Sequence, residues 1–156
     1  MSNRNETFLR APSRVPALPA AFDDVLVHTS TSTKLNGILQ EILEAVPGEK
    51  VLVFSTLHQV LNELAKALEL CKVPFLFYVS GMPQHLRNTY VNAFAHKPQF
   101  RCLLMSTAIG GSGLDLHCAS RIILTEPIWQ WDLESQAVKR AWRIGQTRRV
   151  LVSTYV

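Results

Sequence analysis

Apolar positions recur along this chain with two alternating periods. Leu35, Ile38, Leu39, Ile42, Leu43 and Val46 have the spacing of one helical stripe, with Ser32 or Thr33 placed to cap its start and Pro47-Gly48 to end it. Val51-Leu-Val-Phe-Ser55 is a continuous apolar run of strand length with β-branched residues, which predicts a strand buried on both faces. Leu61, Leu64 and Leu68 stripe a second helix, and residues 75–79 read as the next strand. Pro83 suits the first turn of a third helix that turns Leu86, Tyr90, Val91 and Phe94 inward. Residues 101–105 and 121–125 predict two more strands. Asp132 is placed to cap the helix after them, and residues 150–156 read as a last strand. Phe75, Phe77 and Phe94 are expected in the core. Strands alternating with helices predict an α/β fold with a mainly parallel sheet and helices on both faces. Such sheets bind ligands beyond the carboxyl ends of their strands. The loops after Ser55, Met105 and Thr125 are therefore the places to look.

Composition narrows the picture. With 156 residues, 47% of them apolar, the chain can bury one domain core. Residues 1–22, with Pro12, Pro16 and Pro19, read as a flexible leader, and residues 23–156 as the folded domain. A formal charge of +4 permits a polyanionic partner without requiring one. Cys71, Cys102 and Cys118 are odd in number and scattered, which fits reduced thiols in a cytosolic or nuclear protein and neither a disulfide frame nor a zinc site. The five histidines lack ligand spacing, so no metal is expected on this chain. The N-terminus has no hydrophobic signal core and no apolar run is of spanning length, so no membrane role is expected. Glu41, Glu44, Glu63 and Glu69 read as the polar faces of helices.

Two stretches carry candidate chemistry. In residues 136–146, Gln136, Arg140 and Arg143 stand four and three apart and so share one helix face, with Gly145 placed to stop the helix. Between positions 139 and 149 lie Lys139, Arg140, Arg143, Arg148 and Arg149 and no acidic residue. Guanidinium groups without a local carboxylate suit an outside anion such as phosphate, although cations near a helix C-terminus also answer its dipole. The second stretch is Ser106-Thr-Ala-Ile-Gly-Gly-Ser-Gly-Leu-Asp115. Gly110, Gly111 and Gly113 allow close backbone approach to a ligand, and Ser106 and Thr107 add hydroxyls able to bond phosphate oxygens. A P-loop is excluded, because no Gly-Lys-Ser/Thr triplet occurs in the chain. Leu116 stands where a dinucleotide fingerprint needs Gly or Ala, and Leu114 where a nucleophile elbow around Ser112 needs Gly.

The order of these pieces resembles the C-terminal RecA-like lobe of the Swi/Snf-type DNA-dependent ATPases of helicase superfamily two, over residues 32–156. Arg140-x-x-Arg143-Ile-Gly-Gln146 with Gln136-Ala137 ahead of it looks like that family's motif VI. Gly110-Gly111-x-Gly113-Leu114 looks like motif V, and Val51–Ser55 like motif IV. The Tyr78-Val-Ser-Gly81 turn, with Arg87 and Phe94 beyond it, and the tract Glu126-Pro127-Ile128-Trp129 fall in the matching order. The resemblance implies a RecA-like three-layer fold. It also implies that Arg140 and Arg143 act as arginine fingers on ATP held by a first lobe, with Gln136 supporting them. Gly113 and Asp115 would lie toward the nucleotide, while Ser106, Thr107, Gly110 and Gly111 would face DNA. Departures from the family's pattern are Ala108 where a basic residue is usual, Asp115 for Asn, Trp131 for Pro and Trp142 for His.

The implied function is the second lobe of an ATP-dependent DNA translocase of the chromatin-remodelling or DNA-repair type, working in the nucleus. Its expected partners are DNA, a first RecA-like lobe and nucleosomes. ATP and Mg2+ are expected only in combination with that first lobe, so the chain alone is expected to be inactive. The alternative is a stand-alone, non-catalytic DNA- or protein-binding remnant of such a lobe.

Overall fold

The computed structural model describes residues 33–107, 114–127, 139, 141 and 146–156. The expected leader, its boundary at 22/23, and Asp132 lie outside these residues. Helix α1 (Thr33–Glu44) leads to strand β1 (Val51–Ser55), helix α2 (His58–Leu70), strand β2 (Phe75–Tyr78), helix α3 (Gln84–His96) and strands β3 (Cys102–Ser106), β4 (Arg121–Leu124) and β5 (Leu151–Thr154). The strands form one sheet of five in the order β2-β3-β1-β4-β5, and every pairing is parallel.

The period of two along a strand divides the core into two layers. Leu52, Phe54, Leu76, Tyr78, Leu103, Met105, Ile122 and Leu124 point to one face. There they meet Tyr90, Ala93 and Phe94 of α3, together with Leu116, Ala119 and Ala141. Val51, Val53, Phe75, Phe77, Cys102, Leu104 and Ile123 point to the other face, against Ile38, Leu39 and Ile42 of α1 and Leu61, Leu64 and Leu68 of α2. Each fully covered Leu or Ile contributes about 1.5–3 kcal/mol of apolar burial. Burial on both sides is why β1 to β4 read as nearly unbroken apolar runs, whereas the edge strand β5 is largely exposed. The expected three-layer α/β fold is the one found.

Two expectations need correction. Leu43 and Val46 do not belong to the buried stripe of α1, being 47% and 58% exposed. Each helical residue advances about 100°, which carries Leu43 past Leu39 to the outer edge of the covered arc. Val46 follows the helix, where the period no longer applies. It opens a turn in which Glu49 N donates to Val46 O at 3.0 Å, with Pro47 next and Gly48 at φ 87, the residue order and sign of a type II turn.

Glu41 is not a free polar-face residue either. Its carboxylate accepts from Ser153 Oγ at 2.7 Å and Tyr155 Oη at 2.8 Å, and lies 3.6 Å from Arg121 Nη1. It thereby ties α1 to the start of β4 and the end of β5. Glu44 and Glu63 do stay on helix surfaces, paired with Gln40 and Lys66.

Basic residues fasten the amino end of the sheet. Lys50 Nζ donates to the carbonyls of Lys97 and Phe100, each at 3.0 Å, and Arg101 donates to Ala45 O. Arg121 reaches Glu49 at 3.3 Å, and Arg148 Nη1 reaches Gly48 O at 2.7 Å. These cations are engaged within the fold, so the net charge overstates what the lobe can offer a polyanion.

Candidate functional site

The strand register sets the three loops of interest side by side. Ser55 pairs with Ser106, and Phe54 with Leu124, so the carboxyl ends of β3, β1 and β4 are neighbours. Thr125 N donates to Phe54 O at 3.0 Å, extending that pairing by one step.

One carboxylate gathers the ends of β1 and β4. Ser55 Oγ lies 3.1 and 3.0 Å from the two carboxylate oxygens of Glu126. Thr56 Oγ1 donates to Glu126 Oε1 at 2.8 Å, and both Thr56 N and Thr125 Oγ1 donate to the same carboxylate. Burial alone pushes the Glu126 carboxyl up, but the hydrogen bonds from Thr125, Thr56 and Ser55 outweigh it and hold the group below its ordinary range. Ser55 Oγ also accepts from Leu57 N at 3.1 Å, which starts the turn into α2. The exit of β1 is thus fixed by a charged acceptor supplied from just beyond β4, some 70 positions away.

Of the residues expected to face DNA, Ser106 and Thr107 are buried, at 2% and 7% exposure. Thr107 Oγ1 makes a long 3.5 Å contact with Ser55 O, and Ser106 Oγ has no partner among the described residues. Their hydroxyls therefore face the interior at the end of β3 and not solvent. Gly110, Gly111 and Gly113, as well as Ala108, lie outside the described residues. So do Gln136, Arg140 and Arg143, the expected finger set, and Trp129, Trp131 and Trp142.

Asp115, expected toward a nucleotide, is exposed just beyond the glycine loop. Its Oδ1 lies 2.8 Å from His117 Nδ1 and 3.3 Å from His117 N. The chain then turns, with Ala119 N bonded to Leu116 O at 3.0 Å, and Leu116 and Ala119 sink into the core.

Gln146 meets the same turn from the other side. Its Nε2 lies 2.8 Å from His117 O, 2.8 Å from Ala119 O and 3.2 Å from Ala141 O, and its Oε1 accepts from Arg148 N at 3.0 Å. Lys139 and Ala141 are helical, Lys139 exposed and Ala141 buried. The basic cluster of the sequence is accordingly divided: Arg148 is bound to the turn at Gly48, while Lys139 and Arg149 remain exposed.

Sequence reasoning missed the roles of Glu126 and Gln146. For Glu126 the available signal was a hydroxyl-rich pair, Ser55-Thr56, ending one strand and an acidic residue following another. Among the described residues there is no group of three or more His, Cys, Asp or Glu able to hold a metal ion. Among them, too, no helix is long and apolar enough to cross a membrane.

Comparison with known proteins places this arrangement. The family model described as the helicase conserved C-terminal domain matches residues 33–145. The DNA repair protein rad8 of Schizosaccharomyces pombe is 34% identical over 128 residues, covering 80% of this chain and 11% of rad8. The ATP-dependent helicase ULS1 of Saccharomyces cerevisiae is 33% identical over 118 residues, covering 74% of this chain and 7% of ULS1. The chain thus spans about a tenth of the length of such relatives. Among solved structures, the C-terminal part of the Fun30 ATPase domain superposes with a TM-score of 0.71 at 29% identity, covering 77% of this chain and 40% of that one. The Sulfolobus solfataricus SWI2/SNF2 ATPase core domain superposes with a TM-score of 0.60 at 25% identity, covering 75% and 23%.

Proposed function

The chain belongs to the helicase conserved C-terminal domain family, and on that premise we propose that it serves as the second RecA-like lobe of an ATP-driven, Snf2-type DNA translocase of the DNA-repair or chromatin-remodelling kind. The observation that carries this reading is the family match over residues 33–145, which spans the glycine loop after β3 and the two arginines. In a parallel sheet of this order, the ends of β3, β1 and β4 are where a ligand is met.

In the proposed division of roles, Arg140 and Arg143 are the arginine fingers and Gln136 supports them. Gly113 and Asp115 lie toward the nucleotide. Gly110 and Gly111 approach the DNA backbone, while the buried Ser106 and Thr107 lead into that loop. ATP with Mg2+, gripped by a first lobe, supplies the phosphoryl group and the charge balance for its transfer. This chain adds positive charge where negative charge develops, and an acceptor, Asp115, fixed by His117. It has no Gly-Lys-Ser/Thr grip of its own. Nuclear residence and contact with nucleosomes follow as part of the proposal, supported by relatives named as DNA repair proteins.

The test is steady-state ATP turnover by the chain alone and by the chain joined to a first RecA-like lobe of an Snf2-type protein, with and without duplex DNA. The expected result is no turnover above buffer for the chain alone and DNA-stimulated turnover for the joined protein. DNA-stimulated turnover by the chain alone, lost in Arg143→Ala, overturns the need for a second lobe. A folded joined protein that is never stimulated by DNA returns the chain to the remnant reading, which Ala108 favours by removing a cation from the loop.

DNA binding by the chain itself is expected to be weak, insensitive to sequence and salt-dependent, because backbone contacts dominate such interfaces. Titration of labelled duplex at several salt concentrations measures it. Ala108→Lys is expected to tighten binding and steepen the log–log salt slope by about one unit if the loop faces phosphate. Tight binding that hardly changes with salt excludes this account.

A further inference from the structure

A side-chain amide has one donor group and one acceptor, and among the described residues Gln146 uses both on main chain. Its two N–H hydrogens are shared among the carbonyls of His117, Ala119 and Ala141, and its oxygen receives Arg148 N. These belong to three separate pieces of chain: the turn after the glycine loop, the helical stretch ahead of Gln146, and the lead-in to β5. Contacts to backbone fix where segments lie, whatever side chains they carry.

The turn itself is anchored. Leu116, Ala119 and Ala141 are all fully buried in the same core layer, and Ser120 N and Arg121 N both donate to Lys50 O ahead of β1. Asp115 stands at the head of this turn with its carboxylate on His117, and the carbonyl of His117 is one of the groups Gln146 holds. A continuous path therefore runs from Asp115 through His117 and Gln146 to the helix at Ala141.

We propose that Gln146 is a positioning residue that locks the turn at His117–Ala119 to the helical stretch at Ala141, the residue next in sequence to Arg140, so that the two move as one body. This rests on the reading given under Proposed function. There it supplies the route by which DNA at the loop reaches the phosphate-facing arginines. Few other side chains fit. Glu retains the acceptor but turns a second oxygen, with no hydrogen, toward three carbonyls. Asn is one methylene shorter and cannot span the same groups.

The experiment compares Gln146→Glu, Gln146→Ala and the parent in two arms. In the chain alone, hydrogen exchange is expected to accelerate at least about tenfold in both 115–119 and 139–146, with β1 and β3 unchanged. Acceleration in only one segment, or in neither, overturns the lock whatever the enzyme does. In the joined two-lobe protein, the ratio of turnover with DNA to turnover without it is expected to fall at least about tenfold, within the range of a single coupling free energy. DNA affinity is expected to stay within about threefold. A merely structural residue lowers the melting temperature and leaves that ratio intact, and this result overturns the coupling role. Failure of the parent joined protein to respond to DNA defeats the underlying reading and is distinguishable, because the exchange arm does not depend on it.

Discussion

Replacing Arg140 or Arg143 by Lys in the joined two-lobe protein is expected to lower DNA-stimulated ATP turnover at least about a hundredfold for one or both, with folding stability changed by less than about 1 kcal/mol. The two explanations of these arginines diverge at this substitution. If they answer a helix dipole, either cation serves, since the effect depends on charge near the last turn. If they are fingers, Lys fails, because a point ammonium on a flexible stem lacks the planar fork that spans two phosphate oxygens. A finger supplied from another lobe is worth about 10³–10⁵ in rate, so a hundredfold loss is a conservative expectation. Turnover of purified variants, with melting temperatures measured in parallel, makes the comparison. Unchanged turnover in both Lys variants of an active joined protein would return this helix to a charged surface element.

The contrast with Arg148 shows why a basic cluster cannot be assigned from sequence as a whole. Arg148 stands five positions beyond Arg143, yet its guanidinium closes the Gly48 turn across the sheet. Nothing in the local sequence announces that turn as its partner. Strands are different, because a segment buried on both faces must be apolar at every position, and that pattern survives in any context. Val51–Ser55 was therefore legible to the residue and β2, β3 and β4 to within one position, whereas β5 is a largely exposed edge strand. The order β2-β3-β1-β4-β5 was not legible, since a fully apolar strand looks the same to every neighbour. Gln136, Arg140 and Arg143 stand out in the sequence by their spacing of four and three, and they lie outside the described residues. Glu126 was not legible, because the donors that define it come largely from the far end of another strand.

Glu126→Ala is expected to destabilise the chain by about 2 kcal/mol at pH 7, lowering the melting temperature by about 4–8 °C. The substitution removes the common acceptor of Ser55 Oγ, Thr56 N, Thr56 Oγ1 and Thr125 Oγ1. Hydrogen bonds to a charged group contribute about 1.5–3 kcal/mol each when fully enclosed. Water reaches the exposed Thr56, so the loss is well below their sum. The effect also has a sign in pH. The folded carboxyl is held below its ordinary range, so its contribution is fully present above the unfolded value of about 4.3. It declines as pH falls through the depressed folded value, where the carboxylate takes up its proton and no longer accepts from every donor. Glu126→Gln keeps the shape but cannot ionise, so the parent's advantage over it is expected to shrink as pH drops through that window. Thermal melts of the parent, Glu126→Gln and Glu126→Ala across the acid range measure both effects. Parallel acid limbs for parent and Glu126→Gln, together with an unchanged melt for Glu126→Ala at pH 7, would show that the ends of β1 and β4 are held by the sheet alone.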